Sequence, residues 1–359
     1  MHGALCMVNY VGQPSDVFQS SFRHEEDGAD VSLFCGDSIN LYSLWPSPTV
    51  IVSDGPYGVS GFPGDLHNPK GLADWYLPHV LEWSKRATPL TTLWFWNTEV
   101  GWAIVHPILE AHGWDYVSCC VWDKGLSHVA GNVNTKTIRH LPVVTEVCVQ
   151  YVKRPAFVDN GSTISMQEWL RKEWQRTGLP LSLTNEACGV KNAATRKYFT
   201  KCHLWYMPPA EAFEKIVNYA NTHGKKDGVP YFSTDGKTSL SKQQWERLRA
   251  KFYCPFGVTN VWREPQLRNS ERLKDKNKAI HLNQKPKNLI KRIIEMSSDS
   301  GDVIWDPFAG LCSVASVCLE NQRRCYCAEI QEEVFAIAKD RLLLEIQERQ
   351  QCLFQNTIV

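Results

Sequence analysis

Residues 302–329 read DVIWDPFAGLCSVASVCLENQRRCYCAE, and this stretch decides the fold. A short apolar run over 302–305 ends in a turn that begins at Asp306. A helical pattern follows over 313–321, and a second β-rich run covers 324–328. A strand, a helix and a strand in this order form a crossover unit, which makes the two strands parallel members of one sheet.

The same alternation continues on both sides of this stretch. Strands that alternate with helices indicate crossover units and a mostly parallel sheet. We therefore expect an α/β fold in which a mostly parallel, Rossmann-like sheet carries helices on both faces. The other predicted strands are 31–35, 49–53, 91–96, 116–122 and 143–152, and the other predicted helices are 75–88, 102–112, 286–298 and 331–347.

A polar segment separates the two α/β stretches. Residues 159–258 contain polar, helix-like segments and glycine turns such as those at Asn160 and Asp235. Glycine next to Asn or Asp is a strong turn signal, and the alternation of strand and helix is lost here. We therefore divide the chain into 1–158, a mainly helical insertion over 159–258, and 259–359.

The charge of the chain is unevenly distributed. The total is nearly neutral, with 39 Lys and Arg against 38 Asp and Glu. Between Lys191 and Arg292, however, Lys and Arg outnumber Asp and Glu by more than two to one, with aromatic residues such as Trp205 and Trp262 interleaved. A basic segment of this kind favours contact with a polyanion, and a solvated basic surface is the alternative.

Composition excludes several classes of protein. Charged residues make up 21% of the chain, which is typical of a folded domain rather than a disordered one. No run of 18 apolar residues and no signal-peptide pattern is present, so we expect no membrane association. The 13 cysteines contain no C-x-x-C pair, and we predict no metal site. Reduced, buried thiols in a cytoplasmic protein are the expectation.

The turn at 306–310 and the acid at 329 predict a nucleoside site. A glycine turn at the carboxyl end of a parallel strand lets the backbone approach a ligand, and the next helix points its amides at it. Glu329, at the end of the next strand, suits the two hydroxyls of a ribose. The fingerprint of a pyrophosphate-binding loop is absent, because only Gly310 is present where three glycines are needed. A turn used only for packing is the alternative.

A second turn, Asp54-Gly-Pro-Tyr57, follows another buried strand. The Asp54 carboxylate and the Gly55 carbonyl offer two acceptors, and Pro56 fixes the backbone between them. Two converging acceptors can hold both hydrogens of an exocyclic amine while the ring of a base stacks on Tyr57. An ordinary Asx turn is the alternative.

Together these segments resemble a family. Asp54-Gly-Pro-Tyr57 is similar to the D-P-P-Y motif of amino-methylating DNA methyltransferases, and Asp306-Pro-Phe-Ala-Gly310 to their D-P-F-x-G-S-G cofactor motif. His281-Leu-Asn-Gln-Lys-Pro286 resembles the H-x-x-Q-K-P that precedes the cofactor motif in the circularly permuted, beta-type branch, and the order of the motifs is the order of that branch. Two departures are Gly55 in place of the first Pro and Leu311-Cys312 in place of Ser-Gly.

The resemblance implies a methyltransferase sheet that binds S-adenosylmethionine. Phe308 would pack near the methionine portion and Glu329 would bind the ribose. Asp37 would accept from the adenine amine of the cofactor, and Gln284 and Lys285 would lie near its carboxylate. The full set of implied cofactor residues is Asp37, Gln284, Lys285, Asp306, Pro307, Phe308, Ala309, Gly310, Ser313 and Glu329.

The resemblance also implies methyl transfer to the exocyclic amine of a flipped-out base, with Asp54, Gly55, Pro56 and Tyr57 as catalytic residues. In that family Asp at the first position usually accompanies adenine, so we predict N6-adenine. Ser53 precedes Asp54 directly, and N4-cytosine stays open. An RNA methyltransferase and a non-catalytic DNA-binding regulator are further alternatives; the protein-directed members usually begin the motif with Asn, which Asp54 contradicts.

The expected partner is double-stranded DNA, with a restriction endonuclease as a possible counterpart and a monomer or homodimer as the assembly. Residues 181–188 and 192–199 predict two short helices joined by a glycine turn, which could lie in a major groove, although a hairpin that only packs is the alternative. The segment 263–278 is predicted to contact phosphates. The candidate DNA-binding residues are Asn192, Thr195, Arg196, Lys197, Arg263 and Arg268.

Overall fold

The structure, a computed structural model, falls into two units. One contains the described residues up to Lys153 and those from Ala250 onward, and the other runs from Arg154 to Arg249, against expected boundaries at 159 and 258. The structure describes residues 17–26, 28–60, 65–128, 134, 136–267, 274–275, 278–279 and 284–357.

The first part of the larger unit alternates strands with helices, as the sequence predicts. Its helix α3 starts three residues before the predicted position because the hydroxyl of Thr98 accepts from the backbone N–H of Gly101 and caps the first turn. The elements up to Lys153 are β1 (Ser20–Glu26), β2 (Ala29–Cys35), α1 (Ser38–Leu41), β3 (Val50–Ser53), α2 (Leu72–Arg86), β4 (Thr92–Asn97), α3 (Glu99–Ala111), β5 (Trp114–Asp123) and β6 (Thr145–Lys153).

The smaller unit has its own core of stacked aromatic rings, in which Phe213 and Trp245 lie 3.9 Å apart. Asn160 and Gly161 form the two-residue turn of its hairpin, and both have positive φ, which this type of turn requires. Its elements are β7 (Phe157–Asp159), β8 (Ser162–Ile164), α4 (Met166–Arg176), α5 (Thr184–Ala187), α6 (Ala210–His223) and α7 (Lys242–Glu246).

The predicted second helix over 192–199 is wrong. The chain forms only a five-residue 3-10 helix, Thr195–Phe199, in which Tyr198 and Phe199 are buried in the core of the smaller unit. Thr195 is 3% exposed, and its hydroxyl lies 2.8 Å from that of Thr184. Because the Thr195 side chain is enclosed within the unit, its predicted contact with DNA is also wrong.

The final part of the chain returns to the larger unit and resumes the alternation. Its elements are β9 (Val261–Arg263), β10 (Lys274–Asp275), β11 (Lys278–Ala279), α8 (Lys287–Ser297), β12 (Val303–Asp306), α9 (Ser313–Glu320), β13 (Arg324–Glu329) and α10 (Glu332–Thr357). Strands β10 and β11 form a separate pair.

The main sheet has the strand order β1-β2-β13-β12-β3-β4-β6-β5-β9. Neighbours are parallel from β2 through β13, β12 and β3 to β4, and again between β5 and β9. The pairs β1–β2, β4–β6 and β6–β5 are antiparallel. The predicted mostly parallel sheet is therefore confirmed. Strands β3 and β12, far apart in the sequence, are neighbours, with Ile304 opposite Val50 and Trp305 opposite Ile51.

Alternate residues of each inner strand face opposite layers of helices. In β3, Val50 and Val52 belong to the apolar cluster that contains residues of α8, α9 and α10, whereas Ile51 belongs to the cluster with α1, α2 and α3. Full burial of one such side chain contributes about 1.5–3 kcal/mol. Helices on both faces of the sheet are thus confirmed, and the carboxyl ends of the parallel strands are left for a site.

Several absences hold for the described residues. No helix there combines the length and the apolar character that crossing a membrane requires. No group of three or more His, Cys, Asp and Glu side chains is arranged to hold a metal ion. The cysteines whose side chains are described are all free, and most are buried in the cores, as the sequence predicts.

Helix α2 buries an imidazole beside the sheet edge. His79 lies 2.9 Å from the Tyr42 hydroxyl and stacks on Trp75 at 4.6 Å. Burial lowers the pKa of His79 to about 4. The unfolded chain therefore binds more protons below pH 6.5, so stability falls as the pH drops from 6.5 towards 4.

We expect the His79→Gln variant to lose this pH dependence. Between pH 7 and 5 the wild-type free energy of unfolding should fall by about 2 kcal/mol more than that of the variant. Urea unfolding at the two pH values measures the difference. His67→Gln, at an exposed position, is the matched control and should keep the wild-type slope; an unchanged slope in His79→Gln contradicts the assignment.

Candidate active site

Four carboxyl side chains line up along one edge of the sheet. Asp37 follows β2, Glu329 ends β13, Asp306 ends β12 and Asp54 follows β3, in the order in which these strands neighbour each other. Neighbouring strands are about 4.8 Å apart, so three spacings give a row of about 14 Å. Ligands of open α/β sheets bind outside the carboxyl ends of the strands, which makes this edge the candidate site.

The two oxygens of the Asp54 carboxylate have different surroundings. Oδ1 accepts hydrogen bonds from the Lys285 ammonium and the Tyr57 hydroxyl, each at 2.8 Å. None of the described residues donates to Oδ2, and the side chain is 24% exposed. One oxygen is therefore anchored and the other is open to a ligand.

Lys285 is the buried centre of this arrangement. Its ammonium lies 3.3 Å from Oε2 of Glu146, whose other carboxylate oxygen accepts from Lys124. Burial lowers the pKa of Lys285, but the carboxylates of Asp54 and Glu146 raise it, with a net rise above 10.5. Burial likewise raises the pKa of Glu146, and the two lysines outweigh this and lower it. Lys285 and Glu146 are therefore both charged at neutral pH.

Two of the predicted roles change in the structure. We expected Lys285 near a cofactor carboxylate, but its ammonium binds Asp54 instead. We expected Tyr57 to offer a flat face to a base, but its ring is only 7% exposed and the Lys285 ammonium lies 5.1 Å above it. The Tyr57 hydroxyl donates to Asp54, and burial leaves little of the ring open for stacking on a base.

The loop after β3 is held by residues that the sequence analysis missed. The Pro56 carbonyl accepts from the Asn97 amide at 3.0 Å and from the Tyr76 hydroxyl at 3.2 Å. The Asp65 carboxylate accepts from the backbone N–H groups of Tyr57 and Gly58. Among the described residues none donates to the Gly55 carbonyl, so this acceptor is left open in a loop whose neighbouring residues are held in place.

Gly55, in the loop after β3, contacts Phe308, in the turn after β12. A Cβ atom built on Gly55 would lie 2.7 Å from the Tyr76 hydroxyl and 2.9 Å from the ring of Phe308. Contacts this short are not tolerated without movement, which gives a physical reason for glycine where the D-P-P-Y motif has proline. The Asp54 loop and Phe308 are thus in direct contact.

We expect Gly55→Ala to lower the free energy of unfolding by about 1–3 kcal/mol, because the added methyl group must displace Phe308 or Tyr76. Urea unfolding measures the loss. Gly71→Ala is the control, since its Cβ would meet only Leu66 at an ordinary 3.5 Å. Equal stability of the two variants would show that the contact at Gly55 is not tight.

The turn after β12 approaches the next strand closely. The Glu329 carboxylate accepts from the backbone N–H groups of Gly310 at 3.0 Å and Gln331 at 2.8 Å, and burial raises its pKa. Gly310 and Cys312 both have positive φ, so Cys312 takes the left-handed conformation at a position where the family motif has glycine. Burial, and then the charge of Asp54, raise the pKa of Asp306 well above its usual range, which keeps this carboxyl neutral.

The other implied cofactor residues lie around this edge. Asp37 accepts from the backbone N–H of Ile39 and caps α1, and Ser313 is the first residue of α9. The side-chain oxygen of Gln284 is buried and accepts no hydrogen bond from the described residues. A buried acceptor without a donor is costly, so Gln284 marks a place where a ligand would supply one.

Comparison with known proteins shows which family the chain belongs to. Residues 49–340 match the N6/N4 methyltransferase family described as DNA methylases, which is most of the chain. The chain belongs to the DNA methylase family.

Curated relatives cover shorter parts of this DNA methylase. It is 28% identical over 151 residues to the type II methyltransferase M.HpaI of Haemophilus parainfluenzae, which is 40% of this chain and 45% of the relative. It is 39% identical over 83 residues to the DNA adenine methyltransferase YhdJ of Escherichia coli strain K12, which is 23% of this chain and 27% of the relative. The chain thus spans less than half the length of these relatives.

A solved structure supports the fold of the DNA methylase. The PvuII DNA methyltransferase, described as cytosine-N4-specific, aligns with a TM-score of 0.50 at 12% identity, covering 88% of each chain. At this identity the likeness concerns the fold alone.

The remaining candidate DNA-binding residues of the methylase stay predictions. Arg263, the last residue of β9, is exposed, as are Asn192 and Arg196 in the smaller unit, while Lys197 is half-buried. Arg268 lies outside the described residues.

Proposed function

We propose that this methylase transfers a methyl group from S-adenosylmethionine to the exocyclic N6 amine of an adenine in double-stranded DNA. The observation that carries the proposal is the Asp54 carboxylate, which has one oxygen anchored by Lys285 and Tyr57 and the other without a donor among the described residues, in a loop whose Gly55 contacts Phe308. Membership of the DNA methylase family supports the substrate class.

The donor set at the sheet edge fits S-adenosylmethionine. Glu329 offers carboxylate oxygens to the ribose hydroxyls, and Asp37 stands two strands from Asp306, on the side where the adenine would lie. The unpartnered oxygen of Gln284 suits the ammonium of the methionine portion. When bound, the cofactor supplies an electrophilic methyl group.

The residues of the Asp54 loop would activate the amine. Its lone pair is delocalised into the base, so it is a poor nucleophile. Oδ2 of Asp54 and the Gly55 carbonyl accept its two hydrogens and localise the lone pair on nitrogen. As the N–C bond forms and the S–C bond breaks, the positive charge on nitrogen is stabilised by Asp54, and the surplus proton passes through Oδ2 to solvent.

The choice of adenine over cytosine rests on the first residue of the motif and on one relative. Asp54 at the first position of the motif favours adenine by resemblance, and the relative from Escherichia coli is named a DNA adenine methyltransferase. The likeness to the cytosine-N4-specific enzyme concerns fold alone. The base would leave the helix stack to reach Asp54, at a cost of a few kcal/mol.

The assignment of the smaller unit to target recognition is also part of this proposal. It rests on the exposed Asn192 and Arg196, the half-buried Lys197 and the basic character of the segment. Membership of the circularly permuted branch, supported by the order of the motifs, and a restriction endonuclease counterpart remain predictions of the same kind.

Mass spectrometry of nucleosides tests the proposal. Unmethylated plasmid DNA is incubated with the protein and S-adenosylmethionine carrying a deuterated methyl group, and the DNA is digested. We expect labelled N6-methyladenosine in its deoxy form. Labelled N4-methylcytosine would overturn the base assignment alone, and label only in a parallel sample of structured RNA would overturn the substrate.

A further inference from the structure

Four side chains of alternating charge contact one another in series, beginning with Asp54 in the candidate site. Lys124 binds Glu146, Glu146 contacts Lys285, and Lys285 binds Asp54, and we refer to these four residues as the charge chain. Lys124, Glu146 and Lys285 are each less than a tenth exposed. Two cations and two anions cancel, so every buried member has an opposite charge beside it.

We propose that Glu146, backed by Lys124, is a positioning residue that sets where the Asp54 carboxylate points. This inference rests on the proposed methyl transfer. The Lys285 ammonium is shared between Asp54 at 2.8 Å and Glu146 at 3.3 Å. The Tyr57 hydroxyl is shared between the same two carboxylates, at 2.8 and 3.2 Å.

Because Lys285 and Tyr57 also contact Glu146, they hold Asp54 less strongly than they would without it. Without the negative charge of Glu146, Lys285 and Tyr57 would turn fully towards Asp54 and draw its carboxylate inward. Oδ2 would then move away from the place where an amine must sit, and misplacement by a fraction of an ångström lowers catalysis. Glu146 would change the rate without touching either substrate.

The protonation of Lys285 gives a pH dependence that distinguishes positioning by Glu146 from a purely structural role of Glu146. The carboxylates of Asp54 and Glu146 hold its pKa above 10.5 against the effect of burial. The buried thiol of Cys148 has a strongly raised pKa and stays neutral. Loss of the Glu146 charge therefore lets Lys285 release its proton at lower pH. Among the described residues, the groups that face Lys285 include Asp54, Tyr57, the ring of Trp96, Glu146 and Cys148.

The variants Glu146→Gln and Lys124→Met/Glu146→Gln test the inference. For Glu146→Gln we expect kcat for methyl transfer to fall about tenfold, with the KM for S-adenosylmethionine unchanged. Its activity should also decline towards pH 10, where the wild-type enzyme is still active. Its melting temperature should fall because Lys124 is left buried without a partner.

The double variant separates positioning from stability. Removing Lys124 as well restores neutrality, so the melting temperature should recover while the lower kcat and the shifted alkaline limit remain. Glu110→Gln, an exposed residue of α3, is the control for loss of a carboxylate and should match the wild type.

Three outcomes would overturn the inference. Recovery of kcat together with the melting temperature in the double variant would make Glu146 purely structural. If the activity of Glu146→Gln declined at the same alkaline pH as that of the wild type, Glu146 would not control the protonation of Lys285. Absence of methyl transfer by the wild-type protein would refute the proposed function, and this inference with it, whereas the first two outcomes leave the proposed function standing.

Discussion

Replacing Asp54 by Asn is expected to reduce methyl transfer by about 10³-fold while leaving the affinity for S-adenosylmethionine nearly unchanged. The amide keeps the shape of the side chain and one oxygen for Lys285 and Tyr57, but it has no negative charge to stabilise the amine as it becomes cationic. Asp54→Ala should be at least as inactive, and it also leaves Lys285 with Glu146 as its remaining carboxylate. Single-turnover transfer of a labelled methyl group measures the rate, and calorimetry measures cofactor binding.

Asp74→Asn is the matched control for the change of a carboxylate into an amide. Asp74 is exposed in the first turn of α2, so its variant should keep the wild-type rate within about twofold. If Asp54→Asn keeps more than a tenth of the wild-type rate, the carboxylate is not the group that activates the amine, and the proposed mechanism fails.

The sequence predicts the fold well because the strands and helices follow from local patterns. Runs such as 49–53 and 302–305 are rich in apolar residues, and each is followed by a turn that contains Pro and Gly. The predicted second helix at 192–199 failed because its apolar residues, Tyr198 and Phe199, serve a core made by distant segments. Local periodicity does not report where such a core lies.

The candidate site, too, was predictable from the sequence only in part. Asp54 and Asp306 are predictable since each ends a buried strand, and their proximity follows from the pairing of β3 with β12. The contacts of Lys285 with Asp54 and Glu146 were not predicted, because these residues lie on other strands or loops. One signal was available: Glu146 is a charged residue directly before the apolar run 147–149 of strand β6, and a buried carboxylate requires a cation. The sequence alone does not tell which lysine supplies it.

Replacing Lys285 by Met is expected to lower the free energy of unfolding by about 3–5 kcal/mol at neutral pH, because removal of one partner leaves charge buried without compensation. Glu146 keeps Lys124, but Asp54 loses the cation that anchors it. The charge of Lys285 also lowers the pKa of the buried Glu146, so its removal lets burial raise that pKa. The penalty is therefore present above the ordinary value of 4.5 and shrinks as the pH falls towards that value. Urea unfolding of both proteins at pH 7.5 and pH 5 measures the loss and its decrease.

Lys287 provides the comparison that isolates burial from charge. It lies two residues further along the chain and also contacts two carboxylates, Glu320 at 3.3 Å and Glu345 at 3.1 Å, but its side chain is 37% exposed. Water screens these pairs, so Lys287→Met should cost less than about 1 kcal/mol with little dependence on pH. If both substitutions cost the same, the Lys285 ammonium is hydrated rather than enclosed. Asp54 would then be held by its loop, and the charge chain would have no part in directing its open oxygen.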